Sequence, residues 1–142
     1  MDPTESAKNH AIAIYRSYWQ EMEKLYADPG GTSANLKVYA AAAALKAAES
    51  DAKRAHDRNR IHIGKVTVGN PTVTKADLDR EIPNVTLSSC LDISQWHVVD
   101  ATTKKPVTLP SNRLTKYVIV TTIERWPEGW RVIRDEPQGK AC

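Results

Sequence analysis

Asp92 is a carboxylate in apolar company, within the stretch V-T-L-S-S-C-L-D-I-S-Q-W-H-V-V-D from Val85 to Asp100. A carboxyl group surrounded by apolar side chains keeps its proton to higher pH and can then act as a base near neutrality. Alternation argues for a different place. Val85, Leu87, Leu91 and Ile93 share one parity of a strand, whereas Thr86, Ser88, Cys90, Asp92 and Ser94 share the other. On that pattern Asp92 and Cys90 lie together on the small, polar face, away from the core. Cys90 is one of two cysteines, and the second, Cys142, ends the chain. Two cysteines allow one intramolecular disulfide or two free thiols, and their count alone leaves both open. If the bond forms, it closes a loop of about 50 residues and stabilises by roughly 4 kcal/mol in the chain-entropy account.

The remaining chemistry-bearing residues are less ordered. His10, His56, His62 and His97 are scattered and form no pair at metal-ligand spacing, so no metal site is expected. No phosphate-binding glycine loop, dinucleotide fingerprint or nucleophile elbow occurs, and no cofactor is expected. Phenylalanine is absent, and four tryptophans and five tyrosines carry the aromatic volume. Each brings a polar atom that needs a partner once buried. Tyr15, Trp19, Tyr39, Tyr117 and Trp130 are the candidate lining of an apolar ligand pocket; the alternative is that they fill the core. Trp126 falls in a hairpin turn, where it can anchor a protein partner or a second copy in a homodimer.

These residues must be positioned by one domain, given 142 residues. A chain of that length buries roughly 70% of its unfolded surface without staples. Its net charge of +3 is too small to argue for nucleic acid. No apolar run reaches the roughly 20 residues of a transmembrane helix, and no signal-peptide pattern is visible.

Asp2, Pro3 and Glu5 form a helix start of cap, first-turn proline and capping-box acid. Ile12, Tyr15, Trp19, Met22 and Tyr26 then recur on one helical face, widened by Ala11, Tyr18 and Leu25, until Pro29-Gly30-Gly31 ends the helix. Thr32 or Ser33 is expected to cap a second helix that runs, with a bend near Tyr39, through the alanines Ala40 to Ala44 to about Arg58. The basic run Lys53 to His62 reads as a solvated helix end.

From Ile61 the period becomes two, with a bulge expected at Gly64 or Lys65 where parity changes, and a turn or break at Gly69-Asn70-Pro71. Lys75 to Glu81 reads as an exposed loop. Later strands are expected at Trp96–Asp100, Arg113–Arg125 and Trp130–Asp135, closed by Pro137-Gln138-Gly139. The chain therefore reads as a helical region 3–59, a sheet 61–136 and a tail 137–142. Helices followed by strands predict an α+β fold, with the N-terminal helices packed on a curved, mainly antiparallel sheet.

A long first helix, an alanine-rich second helical region and a sheet ending in Trp130-Arg131-Val132 resemble the nuclear-transport-factor-2-like superfamily, which includes ketosteroid isomerases and polyketide cyclases. The stretch C-L-D-I-S-Q-W-H-V-V-D with a terminal cysteine is also similar to small exported or lipid-anchored proteins of actinobacteria and their phages. The first resemblance implies a cone with a pocket for a small apolar ligand, and an acid–base pairing of Asp92 with Tyr15 or Tyr18. The second implies a Cys90–Cys142 disulfide, an extracytoplasmic place and a lipid anchor on a longer precursor. A fold of this kind hosts many functions. Its pocket leads us to expect a non-enzymatic binding or interaction module, with an isomerase- or cyclase-like enzyme and a structural dimeric accessory protein as alternatives.

Overall fold

The computed structural model describes residues 2–30 and 33–142. The first helix, α1 (Pro3–Ala27), begins as its cap residues dictate: the Asp2 carboxylate accepts from the Glu5 backbone N–H at 2.9 Å, and Pro3 occupies the first turn. Its buried face carries Ala11, Tyr15, Tyr18, Trp19, Met22, Leu25 and Tyr26. Ile12, placed on that face by spacing, is only half-buried.

The second helical region differs from expectation. Thr32 lies outside the described residues, and no helix begins at Ser33. A short 3₁₀ turn spans Leu36–Val38 and closes at Tyr39, and Ala40 and Ala41 then run extended before α2 (Ala42–Asp57) begins. This stretch pairs with the last strand: Ala41 N–H donates to Val132 O at 2.9 Å, and Val132 N–H to Tyr39 O at 2.8 Å. Alanine propensity therefore loses at Ala40 and Ala41, because a sheet edge offers their backbone two good partners. In α2 the alanines Ala44, Ala48 and Ala52 recur every fourth residue on the buried face. Their small side chains leave space along that face. The basic end of α2 is solvated, with Lys53 paired to Asp57 and Arg54 to Asp51.

The strands form two antiparallel sheets that do not close into a barrel. β1 (Arg60–Gly64) pairs with β4 (Trp96–Asp100). The larger sheet has the order β2 (Thr67–Asp77), β3 (Asn84–Asp92), β5 (Lys116–Trp126), β6 (Gly129–Ala141). This is an α+β fold with its N-terminal helices on antiparallel sheet. The parity change near Gly64 proves to be a break, where the chain leaves one sheet for the other. Lys65 N–H bonds Gln95 O at 3.0 Å across this corner. Gly64 has φ +104°, and a Cβ there would collide with the Gln95 carbonyl oxygen. Gly64→Ala is therefore expected to cost about 3 kcal/mol, from an unfavourable backbone conformation plus displaced strand; a urea midpoint within error of the parent would contradict this.

Other strands run longer than the sequence pattern suggests. Gly69-Asn70-Pro71 neither turns nor breaks β2, because a bulge between Gly69 and Thr72 absorbs one extra residue against β3. β2 also takes in Lys75 to Asp77, expected as loop. The expected tail 137–142 is mostly strand: β6 continues past Pro137 to Ala141, accommodated by a register shift opposite Tyr117 and Ile119.

Two faces of the larger sheet follow. Val85, Leu87, Ser89 and Leu91 of β3 point inward and are buried, joined by Ile119, Thr121 and Ile123 of β5 and by Val132 of β6. Cys90 and Asp92 lie on the outer face. Cys90 is disulfide-bonded to Cys142, with Cα atoms 6.0 Å apart. Since β5 lies between β3 and β6, the bond crosses over β5 on that outer face.

Candidate functional site

Asp135 is a half-buried carboxylate turned towards the inner side of the sheet; Glu21 is less exposed, but Lys24 and the Asn35 backbone N–H answer its charge. Asp135 faces inward because of a single bulge. Strict alternation from buried Val132 would turn Arg134 inward and Asp135 out. A register shift lies between Thr122 and Ile123, which pair with Arg134 and Val132 respectively, so Ile133 is the extra residue. Beyond it Asp135 lies opposite Thr121, whose side chain is fully buried on the inner face.

The carboxyl accepts hydrogen bonds from Thr121 Oγ1 at 2.7 Å and from Tyr15 Oη at 2.9 Å. The Trp19 indole N–H acts on it in the same sense but closes no hydrogen bond of ordinary geometry, and is otherwise unpartnered. Burial pushes the Asp135 carboxyl up to about 7; the bonds from Thr121 and Tyr15 oppose the shift, and neighbouring Glu136 adds to it. The Tyr15 hydroxyl is raised well above the usual phenol range, first by burial and then by the Asp135 charge. Among the described residues no Lys, Arg or His forms an ion pair with Asp135.

Asp135 borders a cavity of about 250 Å³ between α1, α2 and the sheets. α1 contributes Tyr18, Trp19, Met22 and Tyr26, and α2 contributes Ala44, Ala47, Ala48 and Asp51. Trp96 of β4 and Tyr117, Ile119 and Pro137 of β5 and β6 complete it. The small α2 residues leave the space that the large α1 residues surround. The rings touch edge to face: Trp19 and Trp96 have centroids 5.8 Å apart, and Tyr26 and Trp96 5.1 Å. Tyr18 and Tyr117 are held protonated by burial first, with the Asp135 charge acting next.

His62 stands behind this cluster, its ring 4.5 Å from Trp96 and 4.8 Å from Tyr26 between centroids. Burial lowers it to about 4, helped by His56 and Arg113. Its folded-state value is depressed, so the unfolded chain takes up the proton first, and stability falls as pH drops from 6.5 towards 4. Discounted for partial solvation, the loss is about 1–2 kcal/mol. His62→Phe keeps the ring contacts and removes the unpartnered Nδ1. It is expected to abolish this part of the acid sensitivity in urea titrations at pH 6.5 and 4.5; an unchanged difference between the two pH values would contradict it.

The candidate residues divide clearly. Trp19 and Tyr117 line the cavity, together with Tyr18. Tyr15 is fully buried behind the wall, bonded to Asp135. Tyr39 and Trp130 lie elsewhere. Trp130 is five residues before Asp135 on β6, roughly 16 Å along a strand, and Tyr39 ends the 3₁₀ turn beside Val132. Asp92 is not in the site. It accepts from Ser94 N–H at 2.9 Å, and hydrogen bonding at Ser94 holds its carboxyl below the usual range. The small polar parity of β3 gave that away. Asp135 escaped notice because Arg134 and Glu136 flank it in a charged run. No sequence signal marks it, since the β6 bulge that turns it inward shows only in the pairing with β5. No cluster of metal-ligating side chains occurs among the described residues.

The fold and site together define an α+β protein with an aromatic cleft between its helices and its sheets. No family model and no curated protein matches the chain. Among solved structures, it is similar to the intermembrane space region of the chloroplast protein ARC6, over 100% of this chain and 98% of that one, with a TM-score of 0.55 and 17% identity. At that identity the likeness is one of fold.

Proposed function

We propose that this protein is a non-enzymatic binding module of nuclear-transport-factor-2-like type that holds a small, largely apolar ligand between its helices and sheet. The observation that carries the reading is the aromatic-walled cavity of about 250 Å³ with the half-buried Asp135 carboxyl at its edge. A cleft of this kind, apolar with a few converging polar groups, is the usual form of a ligand site. An extracytoplasmic place belongs to the same reading. It is supported by the Cys90–Cys142 bond, since disulfides persist in oxidising compartments. No helix among the described residues is long and apolar enough to cross a membrane.

The test is titration with 2-naphthol by calorimetry, for the parent and for Ala47→Trp. Ala47 is exposed and lines the cavity, so a large ring there blocks the space without repacking the core. Binding by the parent and loss of roughly tenfold or more in the variant are expected. Equal binding by both would place the ligand elsewhere.

A second reading, an isomerase- or cyclase-like enzyme, is favoured by one observation: the Tyr15 hydroxyl donates to the Asp135 carboxyl, which burial pushes up to about 7. In that reading Asp135, rather than Asp92, is the base that removes a proton next to a carbonyl. Deuterium exchange into cyclohexanone that is no faster with the parent than with Asp135→Asn would exclude it.

A further inference from the structure

The charged side chains lining the cavity are of one sign. Asp135 lies at its inner wall and Asp51 on α2, and among the described residues no lysine, arginine or histidine borders it. Asp51 is half-exposed and paired with Arg54, so its charge is largely answered. Asp135 has no such partner. A carboxylate taken out of water without a counter-charge is costly, and the cost falls when a cation is placed beside it. The walls supply the second half of a cation site. The rings of Tyr18, Trp19, Tyr26, Trp96 and Tyr117 come from α1, β4 and β5, and the faces of such rings attract cations by their quadrupoles. The tyrosines are held neutral by burial and by the carboxylates. An anion would meet the Asp135 charge with no basic group to answer it, and a neutral apolar molecule would leave that charge uncompensated.

We propose that the cavity takes a small organic ammonium cation, its charged head packed against the aromatic rings and balanced by the Asp135 carboxylate. The assignment rests on the ligand-pocket reading and narrows it to one chemical class. The head fits as a quaternary or protonated amine, with its apolar substituents against Met22, Ala44 and Ala48.

Three probes of one shape and different charge test it: choline, its neutral carbon isostere 3,3-dimethylbutanol, and the anion 3,3-dimethylbutanoate. Each is titrated at pH 8 against the folded, oxidised protein, with tryptophan fluorescence as readout. Choline is expected to bind roughly tenfold or more tighter than the alcohol, and the carboxylate not to bind. Asp135→Asn is expected to remove most of choline's advantage over the alcohol. An alcohol that binds as tightly as choline overturns the proposal, as does a choline preference untouched by Asp135→Asn. The comparison of probes on the parent needs no variant. If neither choline nor the alcohol binds while 2-naphthol does, the cation assignment fails and the pocket reading stands.

Discussion

Asp135→Asn is expected to stabilise the protein above pH 7 by about 2–4 kcal/mol. The carboxyl moves from an ordinary 3.8 to about 7 on folding, with burial as the main cause. The folded state therefore keeps a proton that the unfolded chain releases. Stability from this group is complete below 3.8 and is lost as pH rises through about 7. An asparagine is neutral throughout. Its side-chain oxygen can still accept from Thr121 and Tyr15, while its amide turns to the cavity. The parent and variant should match near pH 4 and diverge towards pH 8 in urea unfolding. A variant that is equally destabilised at both pH values would show that the carboxylate is not buried as described. His62 acts in the opposite sense over much of this range, since its stabilising share is lost as pH falls. Asp135→Asn thus exposes an acid sensitivity that the parent partly masks.

Removing the disulfide should cost a similar amount. Cys90 and Cys142 are 52 residues apart in sequence, and closing a loop of that size stabilises by roughly 4 kcal/mol in the chain-entropy account, with 2–4 typical of measured cases. Cys142→Ser should lower unfolding stability by about 2–4 kcal/mol, and reductant should bring the parent to the variant's level. The bond holds the end of β6 against β3 across β5, and Pro137 on β6 borders the cavity. Hydrogen exchange in β6 after the Ile133 bulge should quicken more than in β3. Intact mass supplies a control: neither thiol should alkylate before reduction. Equal stability of parent and variant without reductant would contradict this account.

Much of the fold was legible because burial imposes simple periods. The α1 face follows from Tyr15, Trp19, Met22 and Tyr26 at helical spacing, and the two faces of β3 follow from alternation between Val85 and Asp92. Alternation also placed Cys90 and Asp92 together on the outer face. What failed was non-local. Ala40 and Ala41 favour helix by propensity, yet pairing with Val132 holds them extended. Pro71 and Pro137 read as strand ends, yet register shifts carry both strands past them. The same cause hid the central residue of the site. Asp135 faces inward only because Ile133 bulges, and a bulge is set by the pairing of β6 with β5 rather than by the residues of β6 alone. Of the five residues expected to line the pocket, Trp19 and Tyr117 do so; Trp130 misses it because position along a strand, unlike its face, depends on how far the strand extends.

The most direct test uses Met22, one of two methionines. Met22 lines the cavity, and its methyl carbon can be labelled and followed by NMR while 2-naphthol is added. A saturable shift of the Met22 methyl signal, absent in Ala47→Trp, is expected. A Met22 signal that stays in place at ligand concentrations where calorimetry shows binding would mean that the cavity between α1, α2 and the sheets is not where this protein holds its ligand.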